Sequence, residues 1–275
     1  MNIEEVVKKI KSIKSWKWYF EENEFNDFYV EFQEKYPDVD LDKNQIKKLG
    51  KALAEGKEVP ASIKEEIQGN NVAFKCTYND SDFNGRCSPE LCGYNSKQGG
   101  VWCKKLDCIN INDKYPCYES RIWKDFRFGG GVYHNGPKEG EPIPLRNVKV
   151  GKVAILTTLK PNALQDERYI FGVLDINDFD DGRRANEQVE QALVSGNKES
   201  SIKINPKIKL NFWDFHINEN AIEEKDKKFW GSGLVRYLTD KEVFNILIAL
   251  KEEYMKNNMD QKEIDKIGNL IARFD

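Results

Sequence analysis

The stretch Arg168-Tyr-Ile-Phe-Gly-Val-Leu-Asp-Ile176 decides the fold class. A short apolar run rich in aromatic and β-branched side chains reads as a buried strand. Upstream, Val148, Val150, Val153, Ile155 and Leu156 open the same β region. Downstream, Ser201-Ile-Lys-Ile-Asn-Pro-Lys-Ile-Lys-Leu210 alternates as a strand, with Pro206 demoting its middle to an edge or bend. Between them, Asp178 to Ser200 is polar and acidic, and reads as a loop with a short helix at Ala185 to Leu193.

Outward from this β region the pattern turns helical at both ends. Thr239-Asp-Lys-Glu242 has capping-box spacing ahead of Val243, Leu247, Leu250 and Tyr254, and Asp260 with Glu263 repeats the device before Ile264, Ile267 and Ile271. At the other end, Ile3, Val6, Val7, Ile10 and Ile13 recur at helical steps. A dense aromatic stretch from Trp16 to Phe32 follows, ending at Pro37. Ile46, Leu49 and Leu53 mark a third helix, and Ser62 starts a short one over Ile63 to Ile67. A boundary falls at Gly69 to Asn71. Between the terminal helices and the strands, residues 121–147 alternate aromatic and basic side chains and then become a Gly/Pro loop, as one strand leading into an exposed connection. The expected fold is α+β: a helical domain over 1–70, a cysteine-rich module over 71–120, and an α+β domain over 121–275.

Composition bounds the function. The 275 residues carry 43 Lys+Arg against 46 Asp+Glu, a net charge of -3, which excludes a strongly basic coat protein. The mean hydropathy of -0.70 and the lack of a long apolar run exclude a membrane-spanning helix, and the opening residues lack a signal-peptide apolar segment, so a cytoplasmic location is expected. The middle is the basic part: residues 71–150 hold 12 Lys+Arg against 9 Asp+Glu. There Lys124 and Arg127 interleave with Trp123, Phe126 and Phe128, a pattern suited to phosphate contacts.

All six cysteines, Cys76, Cys87, Cys92, Cys103, Cys108 and Cys117, fall in the middle module. In a reducing compartment, thiolate coordination of one structural zinc is the better account than disulfides. Spacing allows two sets: Cys87, Cys92, Cys103 and Cys108, or Cys87, Cys103, Cys108 and Cys117. His134 and His216 read as satisfied or exposed histidines rather than ligands. Near the C-terminal helices, Asn211-Phe-Trp-Asp-Phe-His216 and Phe229-Trp-Gly-Ser-Gly-Leu-Val-Arg-Tyr-Leu238 place Trp213, Trp230 and Tyr237 as candidate walls of a base-binding cage, with Arg236 as a phosphate contact. No complete catalytic motif is present: the acidic run from Asp166 to Asp181 reads as solvated loop, and Gly129 to Gly131 lack the Lys and Ser/Thr of a phosphate loop.

Asn84-Gly-Arg-Cys-Ser-Pro-Glu90, Tyr94-Asn95, Val101-Trp-Cys103, Lys152-Val-Ala-Ile-Leu-Thr-Thr158, Glu167-Arg-Tyr-Ile-Phe-Gly-Val173 and the two aromatic segments carry a resemblance. Over residues 76 to 250 the chain is similar to an uncharacterised bacterial family of zinc-cysteine proteins. Its β region resembles PUA-like modules such as the EVE and ASCH domains. The resemblance implies a small β-barrel that binds nucleic acid, often a modified base, and favours Cys87, Cys103, Cys108 and Cys117 as the zinc ligands. The expected function is recognition of modified or flipped-out bases, in DNA, within a bacterial defence or regulatory system. The alternatives are an adaptor that offers its N-terminal helices to a protein partner, or a nuclease of a modification-dependent restriction system.

Overall fold

The computed structural model describes residues 3–22, 24–37, 39, 41, 43–59, 70–97, 113–133, 136–145, 148–180, 192–218, 221, 223, 227–231 and 233–274. The chain forms two compact units, Met1–Asn70 and Asn71–Asp275. In the first, α1 (Ile3–Lys11), α2 (Trp16–Glu21), α3 (Phe25–Lys35) and α4 (Lys43–Ala54) surround one apolar cluster. Val6, Ile10, Phe28, Phe32, Ile46 and Leu49 are fully buried in it. Gly50 is required there, because the Phe20 ring occupies the space a side chain would take. The aromatic stretch therefore turns mostly inward, while Trp18 remains half exposed. The helix expected at Ile63 to Ile67 lies outside the described residues.

The second unit is mixed α and β, built on a curled, half-barrel sheet of order β2-β5-β4-β3-β1-β8. Its strands are β1 (Asn71–Lys75), β2 (Arg127–Gly129), β3 (Val153–Thr158), β4 (Tyr169–Asp180), β5 (Leu193–Gly196), β6 (Ile202–Lys203), β7 (Leu210–Asn211) and β8 (Val235–Leu238). β1 runs parallel to β3 and antiparallel to β8, while β4 pairs antiparallel with β3, β5, β6 and β7. Register shifts at Leu156/Thr157 and Ile176/Asp178 bend the long β4 and add to the curl.

Both faces of the central strands are covered, which is why their sequences read as continuous apolar runs. Val153, Ile155, Ile170 and Val173 pack under α7 (Asp240–Lys256) and α8 (Gln261–Ile271). Ala154, Leu156, Phe171 and Leu174 pack on the opposite side against Phe74, Ile122 and Phe128. Thr239 and Glu242 form the expected capping box, and the Asp260 side chain accepts from Lys262 N–H at 2.8 Å. Buried Asn71 fastens the sheet to α7: its Oδ1 accepts from Val153 N–H at 3.0 Å and its Nδ2 donates to Asp240 at 2.7 Å, which also pairs with Lys152 at 2.8 Å.

Some local expectations change. Residues 121–126 are not a strand: Tyr118–Arg121 forms one turn of helix (α6), Ile122–Phe126 a π turn, and pairing begins only at Arg127. Packing of Ile122 into the core and of Trp123 onto β4 overrides the alternating pattern. Leu193 belongs to a strand rather than a helix, Ala192 before it is buried and not helical, and residues 185–191 of that expected helix lie outside the described residues. Val150 is exposed, and β3 starts at Val153. Ser201 to Leu210 divides into two short edge strands around Pro206, which cannot donate to a ladder. Among the described residues no helix is long and apolar enough to cross a membrane.

Candidate functional site

Trp213 and Trp230 do come together, with ring centroids 6.3 Å apart at 68°, and Phe212 lies 5.3 Å from Trp230. They form core, however, and not an open cage. Trp230 is fully buried and Trp213 nearly so. Both indole N–H groups are spent on backbone: Trp213 Nε1 donates to the Gln165 carbonyl at 2.7 Å and Trp230 Nε1 to the Gly233 carbonyl at 3.1 Å. Tyr237 pairs across the sheet with Val72, on the face opposite Leu238 and the two tryptophans. Strand alternation thus divides the three expected walls between two sides of the sheet.

The expected phosphate contacts are also dispersed. Lys124 stands exposed on the π turn with its Nζ 4.5 Å from the Tyr115 ring centre. Arg127 is exposed on β2 and donates to Ser195 Oγ at 2.9 Å. Arg236 turns inward, donating to the Trp230 and Val235 carbonyls, with its guanidinium 5.5 Å from the Trp230 ring centre. His216 is satisfied by Glu242 at 2.7 Å, and His134 lies outside the described residues.

Of the expected zinc ligands, Cys87 and Cys117 are half-buried, and Cys103 and Cys108 lie outside the described residues. Burial and the nearby Glu119 push the Cys117 thiol up. Cys92, on α5 (Pro89–Lys97), is disulfide-bonded, a difference from the reduced thiol expected there. Among the described residues, no three His, Cys, Asp or Glu side chains converge as a metal site would.

The sheet instead builds two adjoining cavities. The first, about 420 Å³, opens at the C-terminal ends of β1 and β3, and its walls include Lys75, Tyr94, Asn95, Lys160 and Arg168. Among the described residues no Asp or Glu lines it. Lys75 closes β1 and Arg168 immediately precedes β4, so the parallel β1/β3 pair and its antiparallel neighbour carry both cations to one rim. Arg168 is only 2% exposed, yet among the described residues its Nε has no partner, and its Nη1 makes one long bond, 3.4 Å, to Thr157 Oγ1. Its guanidinium lies 4.9 Å from the Trp230 ring centre. Burial lowers its pKa to about 10. Burial together with Arg168 and Arg236 lowers that of Lys75, whose Nζ reaches the Gly231 carbonyl at 3.4 Å. The buried Trp230 ring therefore supports two arginines, Arg168 and Arg236.

The second cavity, about 130 Å³, has walls that include Tyr78, Asp82, Phe83, Trp123, Tyr169 and Phe171. Local sequence explains its shape. The buried Asn79 side chain accepts from Ser81 and Phe83 N–H and donates to the Gly85 carbonyl at 2.9 Å. This holds Asp82 and Phe83 at φ values of 51° and 58°, and the Phe83 ring stacks on Phe171 at 3.6 Å. Gly172 has no side chain because the Trp123 ring lies where one would be. Trp123 Nε1 is buried and has no hydrogen-bond partner among the described residues. Burial, aided by Tyr78 and Asp82, pushes the Tyr169 hydroxyl up to about 12, so it stays a donor at neutral pH. Tyr78 and Lys160 belong to the walls of both cavities.

Sequence reasoning passed over Lys75, Tyr78 and Arg168, and used Trp123 only as part of a basic-aromatic pattern. The available signal was the position of Lys75 and Arg168 beside the buried apolar runs of β1 and β4, where a charge is costly without a partner. Comparison with known proteins finds no matching family model, no matching curated protein and no matching solved structure.

Proposed function

We propose that this protein binds nucleic acid and takes a displaced base into the aromatic cavity beside Trp123. The observation that carries this reading is a cavity walled by aromatic rings, among them Trp123, whose buried N–H has no partner among the described residues, beside a cationic cavity that no Asp or Glu of the described residues lines. Flat aromatic walls accept any planar ring by stacking, while a few directed groups read its edge. Here the donors are Trp123 Nε1 and the Tyr169 hydroxyl, and the Asp82 carboxylate is the acceptor at the rim. DNA carrying a modified base, met in a bacterial defence or regulatory setting, is the ligand class we favour, following the resemblance of the β-region sequence to PUA-like modules. The base site moves from Trp213, Trp230 and Tyr237 to Tyr78, Trp123 and Tyr169. In the same reading, reduction of the Cys92 disulfide frees its partner thiol, and Cys87, Cys103, Cys108 and Cys117 then hold a structural zinc that orders the cysteine-rich segment.

Fluorescence of a 2-aminopurine placed in a duplex tests this directly, since extrusion unstacks the base and changes its emission. The expected result is a salt-sensitive binding curve with a fluorescence change that Trp123→Ala removes. Binding with no change in the base signal contradicts base capture.

A further inference from the structure

The cationic cavity has its own chemistry. A guanidinium offers five N–H donors. Arg168 is almost wholly buried with one long side-chain hydrogen bond, and no carboxylate stands against it among the described residues. Lys75 lines the same cavity, and Arg236 stacks on the other contact of Arg168, the Trp230 ring. Lys75 and Arg168 at the rim, with Arg236 behind them on the Trp230 ring, repel each other and are desolvated, an arrangement that costs stability until an anion enters. A fork of N–H donors beside an ammonium matches a tetrahedral oxyanion, and Tyr94 and Asn95 from α5 supply neutral polar walls opposite.

We propose that the cavity lined by Lys75 and Arg168 is a phosphate-binding site, and that it holds the phosphate of the nucleotide whose base occupies the Trp123 cavity. The second clause rests on the base-capture reading, through the shared walls Tyr78 and Lys160; the first does not. The Trp213 and Trp230 cluster acts as the scaffold that fixes Arg168 from behind.

Thermal unfolding of the full chain tests both clauses, using inorganic phosphate, a nucleoside, the corresponding nucleoside 5′-monophosphate and a short oligonucleotide as probes. Phosphate at about 10 mM is expected to raise the wild-type Tm by a few degrees, as any ligand that binds only the folded state does. Arg168→Met is expected to melt higher than wild type in phosphate-free buffer, because an unpaired charge leaves the interior, and to lose the phosphate response. Lys75→Gln, which leaves the buried arginine in place, is expected to weaken the response about tenfold in phosphate concentration. An equal phosphate response in all three proteins, or none in the wild type, overturns the phosphate site. Equal responses to phosphate and to the monophosphate keep the phosphate site and overturn base capture. A nucleoside response that phosphate neither matches nor strengthens overturns the link between the two. A larger response to the oligonucleotide than to the monophosphate identifies nucleic acid, and not free nucleotide, as the source of the phosphate.

Discussion

Trp230 and Trp123 show how one residue type carries two different duties. The Trp230 ring is fully buried with its N–H spent on a backbone carbonyl, so Trp230→Ala leaves a large core void and is expected to cost about 3–5 kcal/mol in denaturant unfolding. Among the described residues the Trp123 N–H has no partner, and Trp123→Phe removes that donor together with the outer ring atoms, Cζ2 and Cη2, that lie over Gly172. Its expected outcome is a stability loss of about 1–3 kcal/mol in denaturant unfolding, smaller than that of Trp230→Ala, with base affinity weakened about tenfold in a fluorescence titration. A charge pair supplies a pH-dependent case. Burial opposes the charge on Glu242, but hydrogen bonds from His216 and Thr239 outweigh it and hold its pKa below the ordinary 4.5. A depressed carboxylate stabilises the fold above the unfolded value and loses that contribution as pH falls through the folded one. Denaturant unfolding as a function of pH should therefore show stability falling below about pH 4.5 in the wild type, with a flatter acid limb for Glu242→Gln.

Elements were legible where local chemistry agreed with tertiary packing. The capping box at Thr239 and Glu242 reads directly from the chain and occupies its expected place at the start of α7; Thr239→Ala is expected to lower stability by about 0.5–2 kcal/mol, measured by urea unfolding. The strands over 153–158 and 169–176 were legible for the same reason, since both of their faces are buried. The π turn at Ile122–Phe126 was not. Its basic and aromatic alternation matches a strand, and what decides otherwise is the fit of Trp123 against Gly172, a contact between positions far apart in the chain. The cage failed on alternation. Tyr237 and Arg236 are neighbours in sequence, so a strand sends them to opposite faces, while the base cavity draws on a turn, a π turn and β4 at once. A linear reading finds aromatic residues but not which of them share a wall.

At the scale of the whole molecule, the two units have separate cores, the first built from α1 to α4 and the second from the two faces of the sheet. Residues 71–275 alone are expected to keep the unfolding transition of the sheet unit and its response to phosphate. The boundary near Asn70 was visible in composition, whereas the identity of the site was not, because burial of a charge without a partner belongs to the folded arrangement rather than to the residue. The sheet places Lys75, Arg168, Tyr78 and Trp123 around two cavities that share the walls Tyr78 and Lys160, from segments spread over residues 75–168. The measurement that tests this account most directly is fluorescence anisotropy with matched unmodified, methylated and hydroxymethylated DNA, comparing wild type with Trp123→Phe at two salt concentrations. The account predicts salt-dependent binding in both proteins, with a preference among the bases that only the wild type shows. Equal affinity for every base in the wild type, or a preference that survives in Trp123→Phe, contradicts it.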